Sequence, residues 1–293
     1  MKTTRILTLA AVAAVAAAAA PALAKPAPAP AAPRMSTLTL DKIAARVIII
    51  PEDRNTITAE VRPGAGGLPK PVLRVDGSNM TVLGGLTKEQ LKNCHASSGK
   101  KSKVKLGMWK RGYKVEDLPT VTVRVPRDIA IVADGAIMGE IGPSRNLALR
   151  QERCGDWKVG DVSGTLQLDM EGWSDVNIGT VGAANVNLEG LGDISVASTR
   201  SLTANLEGMG DMTVGSVSGP VDVSLQGMGD VRIRGGRATT LKVRLEGMGD
   251  MRFDGVADTV DASTDGFGDI VIAKATGEVH SNKSGFGKIR IGR

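Results

Sequence analysis

"NLEGMGDMTV" (residues 205–214) is one of a series of near-copies, and this series decides the fold. "NLEGLGDISV" (187–196) precedes it, and "SLQGMGDVRI" (224–233), "RLEGMGDMRF" (244–253), "STDGFGDIVI" (263–272) and "NKSGFGKIRI" (282–291) follow it. Every copy but the last brings Gly, a bulky apolar residue, Gly and Asp, and successive copies lie 18–20 residues apart. A period this short is typical of one coil of a solenoid, since helical repeats need more than about 30 residues.

Within each copy, apolar residues alternate with polar ones, which is the pattern of a half-buried β-strand. Around Gly208, the inward positions are Ala204 and Leu206 before it and Met212 and Val214 after it. Parallel crossovers are overwhelmingly right-handed. We therefore predict an all-β, single-stranded right-handed parallel β-helix with about 19 residues per coil. The glycines fall on the inward parity, where we expect them to let each coil turn sharply at a corner.

The organisation of the chain is read from composition. Residues 1–24 carry two positive charges, a short apolar stretch and "PALA", which predict a secretory signal peptide. Residues 25–36 read as a Pro/Ala-rich linker, and residues 37–293 as the β-helix domain. Within that domain, 37–150 are expected to form irregular amino-terminal coils with a basic excursion at 86–115, and 151–293 the regular coils. We expect no transmembrane segment and an exported protein, periplasmic or at the cell surface.

Two cysteines, Cys94 and Cys154, are expected to pair in an oxidising destination, although two free structural thiols are the alternative.

The residue between the two glycines shares its outward parity with the acidic residues on either side. The apolar stripe, as we name it, comprises Trp173, Leu191, Met209, Met228, Met248, Phe267 and Phe286. These side chains either fold inward at the corner and extend the core, or form an exposed patch of the kind that marks a partner surface. The outer acidic row before it comprises Glu171, Glu189, Glu207, Gln226, Glu246 and Asp265.

The aspartate row after the stripe comprises Asp175, Asp193, Asp211, Asp230, Asp250 and Asp269. Like charges stacked about 5 Å apart repel by roughly 0.8 kcal/mol per pair in water, so something should offset the repulsion. Three interpretations stay open: each Asp caps local turn N–H groups, the row holds a ladder of Ca²⁺ ions, or the charges serve solubility.

The excursion contains a second candidate site, a basic segment interleaved with aromatic residues. Its residues are Lys100, Lys101, Lys103, Lys105, Trp109, Lys110, Arg111 and Lys114, with Tyr113 among them. It is either a solvated loop or a contact for an anionic partner such as lipid headgroups, an envelope polysaccharide or the acidic face of a second copy. Export argues against nucleic acid.

No residue pattern points to catalysis, a metal or a cofactor. The two histidines, His95 and His280, are far apart in sequence, and we expect each to be satisfied or solvent-facing. A polysaccharide lyase or hydrolase is the enzymatic alternative, but the repeated acids single out no carboxylate and aromatics make up only 2% of residues. Only Trp109, Tyr113, Trp157 and Trp173 could offer sugar-stacking rings beyond the two Phe of the stripe.

The Gly-x-Gly-Asp copies, together with "RCGDWKVGDVSGTLQL" (153–168), resemble the exported bacterial putative-adhesin "head GIN domain" family. The resemblance covers roughly residues 38–293 and is strongest over 150–293. It implies a parallel β-helix and a cell-envelope location, without an established activity. This chain departs from the family pattern in placing Met, Phe, Leu or Trp where a small polar residue is usual.

The sequence therefore predicts an exported, non-enzymatic binding or structural module of the cell envelope, with two competing roles. One is attachment to a surface or matrix component (glycan, lipid headgroup or protein) through the apolar and acidic corner. The other is homo-oligomerisation, in which the basic excursion meets the acidic rows of another copy. Residues 161–275 carry a net charge of −9 and the remainder +15, so the chain is electrically polarised.

Overall fold

The alternating apolar residues of the copies line the interior of a parallel β-solenoid. The computed structural model has about nine turns that repeat about every 19 residues, which confirms the predicted β-helix. It describes residues 35–97, 103–107 and 111–293, so the predicted signal peptide and nearly all of the predicted linker lie outside the described residues.

The strands before the regular coils differ in length and spacing. The first four are β1 (Ser36–Glu52), β2 (Thr58–Arg62), β3 (Val72–Asp76) and β4 (Asn79–Leu83). The excursion holds α1 (Lys88–Leu91), β5 (His95–Ser97), β6 (Lys103–Leu106), β7 (Arg111–Lys114) and a 3₁₀ turn (Val115–Asp117). Three more strands lead into the regular part: β8 (Thr120–Pro126), β9 (Asp128–Ile141) and β10 (Asn146–Gln151).

The regular coils use twelve strands. They are β11 (Cys154–Val159), β12 (Val162–Met170), β13 (Trp173–Leu188), β14 (Ile194–Leu206), β15 (Met212–Val217), β16 (Val221–Leu225), β17 (Val231–Ile233), β18 (Arg237–Leu245), β19 (Met251–Thr264), β20 (Ile270–Ala275), β21 (Val279–Lys283) and β22 (Ile289–Ile291).

Each regular coil contributes two strand segments that meet at the Gly-x-Gly-Asp corner. After the corner, Val176 pairs with Ile194 and Ile194 with Met212, and the same register continues coil by coil to Ile289. Before the corner, Leu188, Leu206, Leu225 and Leu245 form one buried column, followed by Thr264 and then the exposed Lys283. Burying such a side chain is worth about 1.5–3 kcal/mol, so these columns supply the stability that no coil has alone. In the last coil, the charged Lys283 stands at the position of the buried leucines and ends this column.

The paired glycines lie at the bends between strand segments and also allow close approach between coils. A Cβ added at the first glycine of each corner, as at Gly190 or Gly208, would lie less than 3.0 Å from a carbonyl oxygen of the preceding coil. The second glycine, as at Gly210 or Gly229, meets the same obstacle. Among these corner glycines only Gly192 has a left-handed backbone, with φ of 136°. The glycines therefore have a role beyond the expected turn: they let the Cα of one coil lie against a carbonyl oxygen of the preceding coil.

The aspartate row forms a hydrogen-bonded ladder between coils. The carboxylate Oδ1 of Asp175 accepts the backbone N–H of Asp193 at 3.1 Å, and Asp193 accepts that of Asp211 at 3.0 Å. The series continues to Asp269, which accepts the N–H of Lys288 at 2.8 Å. Hydrogen bonds to a charged group contribute about 1.5–3 kcal/mol, more than the roughly 0.8 kcal/mol of repulsion between neighbouring carboxylates. Each Asp thus caps an N–H group, in the next coil rather than in its own turn.

The amino-terminal coils do not stack in chain order. Strand β1 lies between β9 on one side and β4 with β8 on the other, all parallel to it. Strands β2 and β3 then add antiparallel to β8 and β4 and cover this end of the stack. The largest core side chain among the described residues is Trp157 on β11, the first strand of the regular coils; it is fully buried and donates its indole N–H to Gln151 at 2.8 Å. Its burial removes it from the candidate sugar-stacking rings.

The excursion packs on the side of the solenoid through its own apolar cluster. Strands β5, β6 and β7 form a three-stranded antiparallel sheet. The predicted disulfide between Cys94 and Cys154 is present, with Cα atoms 6.0 Å apart, and it ties this sheet to β11. The excursion is therefore a small appended layer with a covalent link to the first regular coil.

The close approach at the corners predicts that an added methyl group lowers the free energy of unfolding at a corner glycine but not at a glycine with free space around it. Gly210→Ala should lower the free energy of unfolding by about 1–3 kcal/mol, because the Cβ would overlap the Gly192 carbonyl and push two coils apart. Gly235→Ala is the matched control, since a Cβ there meets nothing within 4 Å. Urea unfolding followed by circular dichroism measures both; equal effects would contradict the close-packing explanation.

The aspartate ladder predicts that the free energy of unfolding depends on the acceptor oxygen of each Asp and not on its negative charge. Asp211→Ala should cost about 1–2 kcal/mol of unfolding free energy, because it leaves the Asp230 N–H without its acceptor. Asp211→Asn keeps an acceptor oxygen and should remain within about 0.5 kcal/mol of the parent. The control is Asp261→Ala, which removes an exposed carboxylate that has no hydrogen bond or ion pair with described residues. If Asp211→Asn is as harmful as Asp211→Ala, the ladder is not what the row provides.

Reduction of the disulfide should release the excursion before the solenoid unfolds. The link closes a loop with a sequence separation of 60, for which chain entropy gives roughly 4 kcal/mol. Limited proteolysis should cut within residues 86–115 after reduction, while the regular coils resist. A Cys94→Ser/Cys154→Ser variant should be cut there with or without reductant; resistance of that variant would show that the apolar cluster alone holds the excursion.

Candidate functional site

One column of side chains runs along the outer corner of the whole solenoid. In the regular coils it is the apolar stripe, where the N–H of Leu191 donates to Gly172 O at 2.8 Å and that of Met209 to Gly190 O at 3.0 Å, and so on to Phe286. The register extends it backwards, because Trp173 pairs with Cys154, Cys154 with Ala136, and Ala136 with Ala44. The stripe is thus the exposed part of a longer column.

The first three positions of the column are covered by the excursion. Ala44, Ala136 and Cys154 are buried in an apolar cluster that is separate from the solenoid core. The excursion contributes to this cluster the side chains of Leu86, Leu91, Cys94, Ala96, Val104 and Leu106, and Leu118 joins the cluster just after the excursion. Small residues in the column leave room for this layer, so the chain itself docks an apolar surface on its own corner.

From Trp173 onwards the column is exposed. Six of its seven side chains are between 45% and 81% accessible, and Leu191 is half-buried. Phe267 and Phe286 stack with ring centroids 5.2 Å apart and planes 11° from parallel. A shallow groove of about 290 Å³ follows Met209, Met228 and Met248. Of the two interpretations of the stripe, the structure has the exposed one.

Acidic side chains flank the stripe on both sides. In the outer acidic row, Glu171 pairs with Arg150, and Glu246 lies 4.0 Å from Arg244. In the aspartate row, Asp269 pairs with Arg290 at 3.1 Å. Among the described residues, the four central aspartates, Asp193, Asp211, Asp230 and Asp250, have no basic partner within 4.0 Å. Their charge remains available beside the apolar side chains.

The small antiparallel sheet of the excursion has a basic outer face. Lys103 lies directly opposite Lys114, and Lys105 is on the same face two residues along β6. The opposite face carries Val104 and Leu106 into the apolar cluster. Of the predicted basic segment, Lys100, Lys101, Trp109, Lys110 and the side chain of Arg111 lie outside the described residues. We call Lys103, Lys105 and Lys114 the basic face.

A pocket of about 540 Å³ lies where the excursion meets the start of the stripe. It is lined by Asn93, Cys94, His95, Lys105 and Trp173. The His95 and Trp173 rings meet edge to face with centroids 4.7 Å apart. The Nδ1 atom of His95 is buried and has no hydrogen-bond partner among the described residues. We expected His95 to be hydrogen-bonded or to face solvent, and the structure instead places it between the excursion and Trp173 at the start of the stripe.

Within the residues that the structure describes, no group of three or more His, Cys, Asp or Glu side chains is arranged to hold a metal ion. In the aspartate row, one carboxylate oxygen of each residue is already engaged by a backbone N–H, which disfavours the Ca²⁺ interpretation. None of the helices in this described part has the length and hydrophobicity that a membrane crossing requires.

Sequence reasoning missed the covered end of the column. The signal for Cys154 was available, because "RCGD" (153–156) aligns with "GWSD" (172–175) and puts this cysteine opposite Trp173, at the stripe position. Ala44 and Ala136 could not be found, since the first coils have no Gly-x-Gly-Asp motif and β1 is stacked out of chain order. His95 was likewise invisible, because its partner Trp173 is distant in sequence.

Two solved structures and one family model are similar to this chain. A solved structure of a putative lipid binding protein from Parabacteroides distasonis is similar with a TM-score of 0.45 and 14% identity, covering 89% of this chain and 94% of that one. A putative adhesin from Bacteroides fragilis gives a TM-score of 0.35 and 14% identity, covering 87% and 91%. No curated protein matches this chain.

A family model described as "Putative auto-transporter adhesin, head GIN domain" matches residues 98–237. The match includes part of the excursion, the covered end of the column and the first copies of the repeat. The coils after residue 237 continue the same pattern beyond the matched range. Over residues 98–237, this chain therefore resembles the head GIN domain of auto-transporter adhesins, as its Gly-x-Gly-Asp copies indicated.

Proposed function

We propose that this protein is an exported, non-catalytic binding module that attaches to a partner protein at the cell surface through the apolar stripe. One observation carries the proposal: the stripe is the uncovered continuation of a column on which the chain already docks an apolar layer. The resemblance to an adhesin family supports a surface binding role, and the apparent signal peptide supports export.

The exposure of the stripe is energetically costly unless it serves binding. Each large apolar side chain gains about 1.5–3 kcal/mol when it is fully buried. The stripe leaves five such side chains in an unbroken line from Met209 to Phe286. Contiguous apolar surface rimmed by polar residues is characteristic of interaction sites. Scattered exposed residues, such as Val72 and Val75 on β3, need no such explanation.

The flanking charges select the kind of partner. Because unpaired carboxylates border the stripe, an anionic bilayer or an acidic glycan would be repelled there, and so would the same face of a second copy. A partner surface that presents apolar side chains with basic ones on either side would satisfy both features. The packing of the excursion's apolar side chains on Ala44, Ala136 and Cys154 supports the apolar part of this proposal.

The test uses an amphipathic helical peptide of Leu and Lys as the probe, with a Leu and Glu peptide of the same pattern for comparison. Fluorescence polarisation should show tighter binding of the Leu/Lys peptide. The Met228→Ser/Met248→Ser/Phe267→Ser variant keeps every carboxylate and should weaken that binding at least tenfold, because three apolar contacts are lost.

The matched control is Val72→Ser/Val75→Ser, which removes exposed apolar side chains away from the stripe and should bind like the parent. If the stripe variant also binds like the parent, the peptide contacts only the acids and the proposal fails. Turnover of an acidic polysaccharide by the purified chain would overturn the non-catalytic part.

Self-association is the second candidate, because the basic face and the unpaired carboxylates of the regular coils lie on one molecule. In that case the Lys103→Glu/Lys105→Glu variant would have a lower sedimentation coefficient than the parent at low salt, because it would form fewer oligomers. High salt would abolish the difference. A parent that is monomeric at low salt removes this candidate.

A further inference from the structure

We propose that the pocket between the excursion and the start of the stripe binds an anionic sugar residue. This site is distinct from the stripe surface in shape and charge, although Trp173 belongs to both. It is concave, about 540 Å³ in volume, and large enough for a sugar ring with its immediate neighbours. The stripe is a convex corner with only a shallow groove.

Trp173 supplies an apolar platform. Its side chain is 49% accessible, while Trp157 is fully buried. Trp173 is thus the only exposed indole in the part of the chain that the structure describes. The C–H face of a sugar ring packs well on such an amphipathic ring. The edge contact from His95 fixes the indole beside the pocket.

The basic face supplies the charge preference. Lys105 lines the pocket, and Lys103 and Lys114 share its face of the sheet. Like charges directly opposite each other, as Lys103 and Lys114 are, destabilise a sheet. Among the described residues, neither Lys103 nor Lys105 has an acidic partner within 4.0 Å, and Lys114 has Glu116 only at 3.8 Å. A bound carboxylate or sulfate would offset this repulsion.

Two further polar residues, His95 and Asn93, line the pocket. The buried Nδ1 of His95 has no hydrogen-bond partner among the described residues, and buried polar atoms in native proteins usually have one. The Asn93 side chain lies on the same wall and offers both a donor and an acceptor. A hydroxylated ligand would pair with the exposed Asn93 amide, whereas an apolar ligand would leave that amide unpaired.

The disulfide makes the pocket a preformed site. Cys94 is part of the wall, and its bond to Cys154 joins the two halves that the pocket separates. A site held in its binding geometry loses less entropy on association. Sugar binding should therefore depend on the oxidised state.

Isothermal titration calorimetry with galacturonic acid trisaccharide, a neutral galactose trisaccharide and inorganic phosphate tests the proposal. The uronate should bind at least tenfold more tightly than the neutral sugar, and phosphate more weakly than the uronate. Trp173→Ala and Lys105→Ala should each weaken uronate binding at least tenfold, and reduction of the disulfide should do the same.

Lys274→Ala removes an exposed lysine far along the solenoid and should leave the titration unchanged. Circular dichroism and a free-thiol count verify that each variant is folded and oxidised. Equal affinity for both sugars, equal affinity for phosphate and uronate, or full binding by Lys105→Ala would overturn the proposal. Because the peptide assay of the stripe uses a different probe, either proposal can fail while the other stands.

Discussion

The structure depends on the contact between the Cα of each corner glycine and the carbonyl oxygen of the coil below. Two such glycines bracket one residue, and a Cβ added to either glycine would overlap a carbonyl oxygen of the preceding coil. The bracketed residue then has no inward space, so its side chain must project from the corner. The following Asp is placed where its carboxylate meets the next coil's N–H. Close packing of the backbone thus fixes the glycines, the stripe and the ladder together.

Because this contact repeats in register, most of the regular half was predictable. Period-two alternation around Gly208 identified which side chains face inward, and Ala204, Leu206, Met212 and Val214 are all buried. The pairing of Cys94 with Cys154 followed from the expected compartment. The close approach that the glycines allow was not predicted, since sequence shows that a side chain is absent but not which neighbouring atom excludes it. The ladder partner of each Asp was also out of reach, because it lies one coil away.

The amino-terminal half resisted prediction for a topological reason. Strand β1, the first in the chain, lies between β9 on one side and β4 with β8 on the other, so neighbours in the stack are not neighbours in sequence. The column therefore passes through Ala44 and Ala136 without a motif to mark it. The excursion packs on this covered end of the column, and the pocket beside Trp173 lies where the excursion meets the exposed stripe. The pocket thus lies where the regular pattern meets the irregular one, whereas the exposed stripe belongs to the regular coils.

The period of the solenoid gives its exposed corner a modular length. Each coil adds one apolar side chain and about 4.8 Å to the line, while the packing of the other coils stays the same. Duplication or deletion of a single 19-residue unit in a gene would therefore lengthen or shorten the contact surface by one step without a new fold. The number of apolar side chains available for contact therefore depends on the number of coils, and evolution can change it one coil at a time.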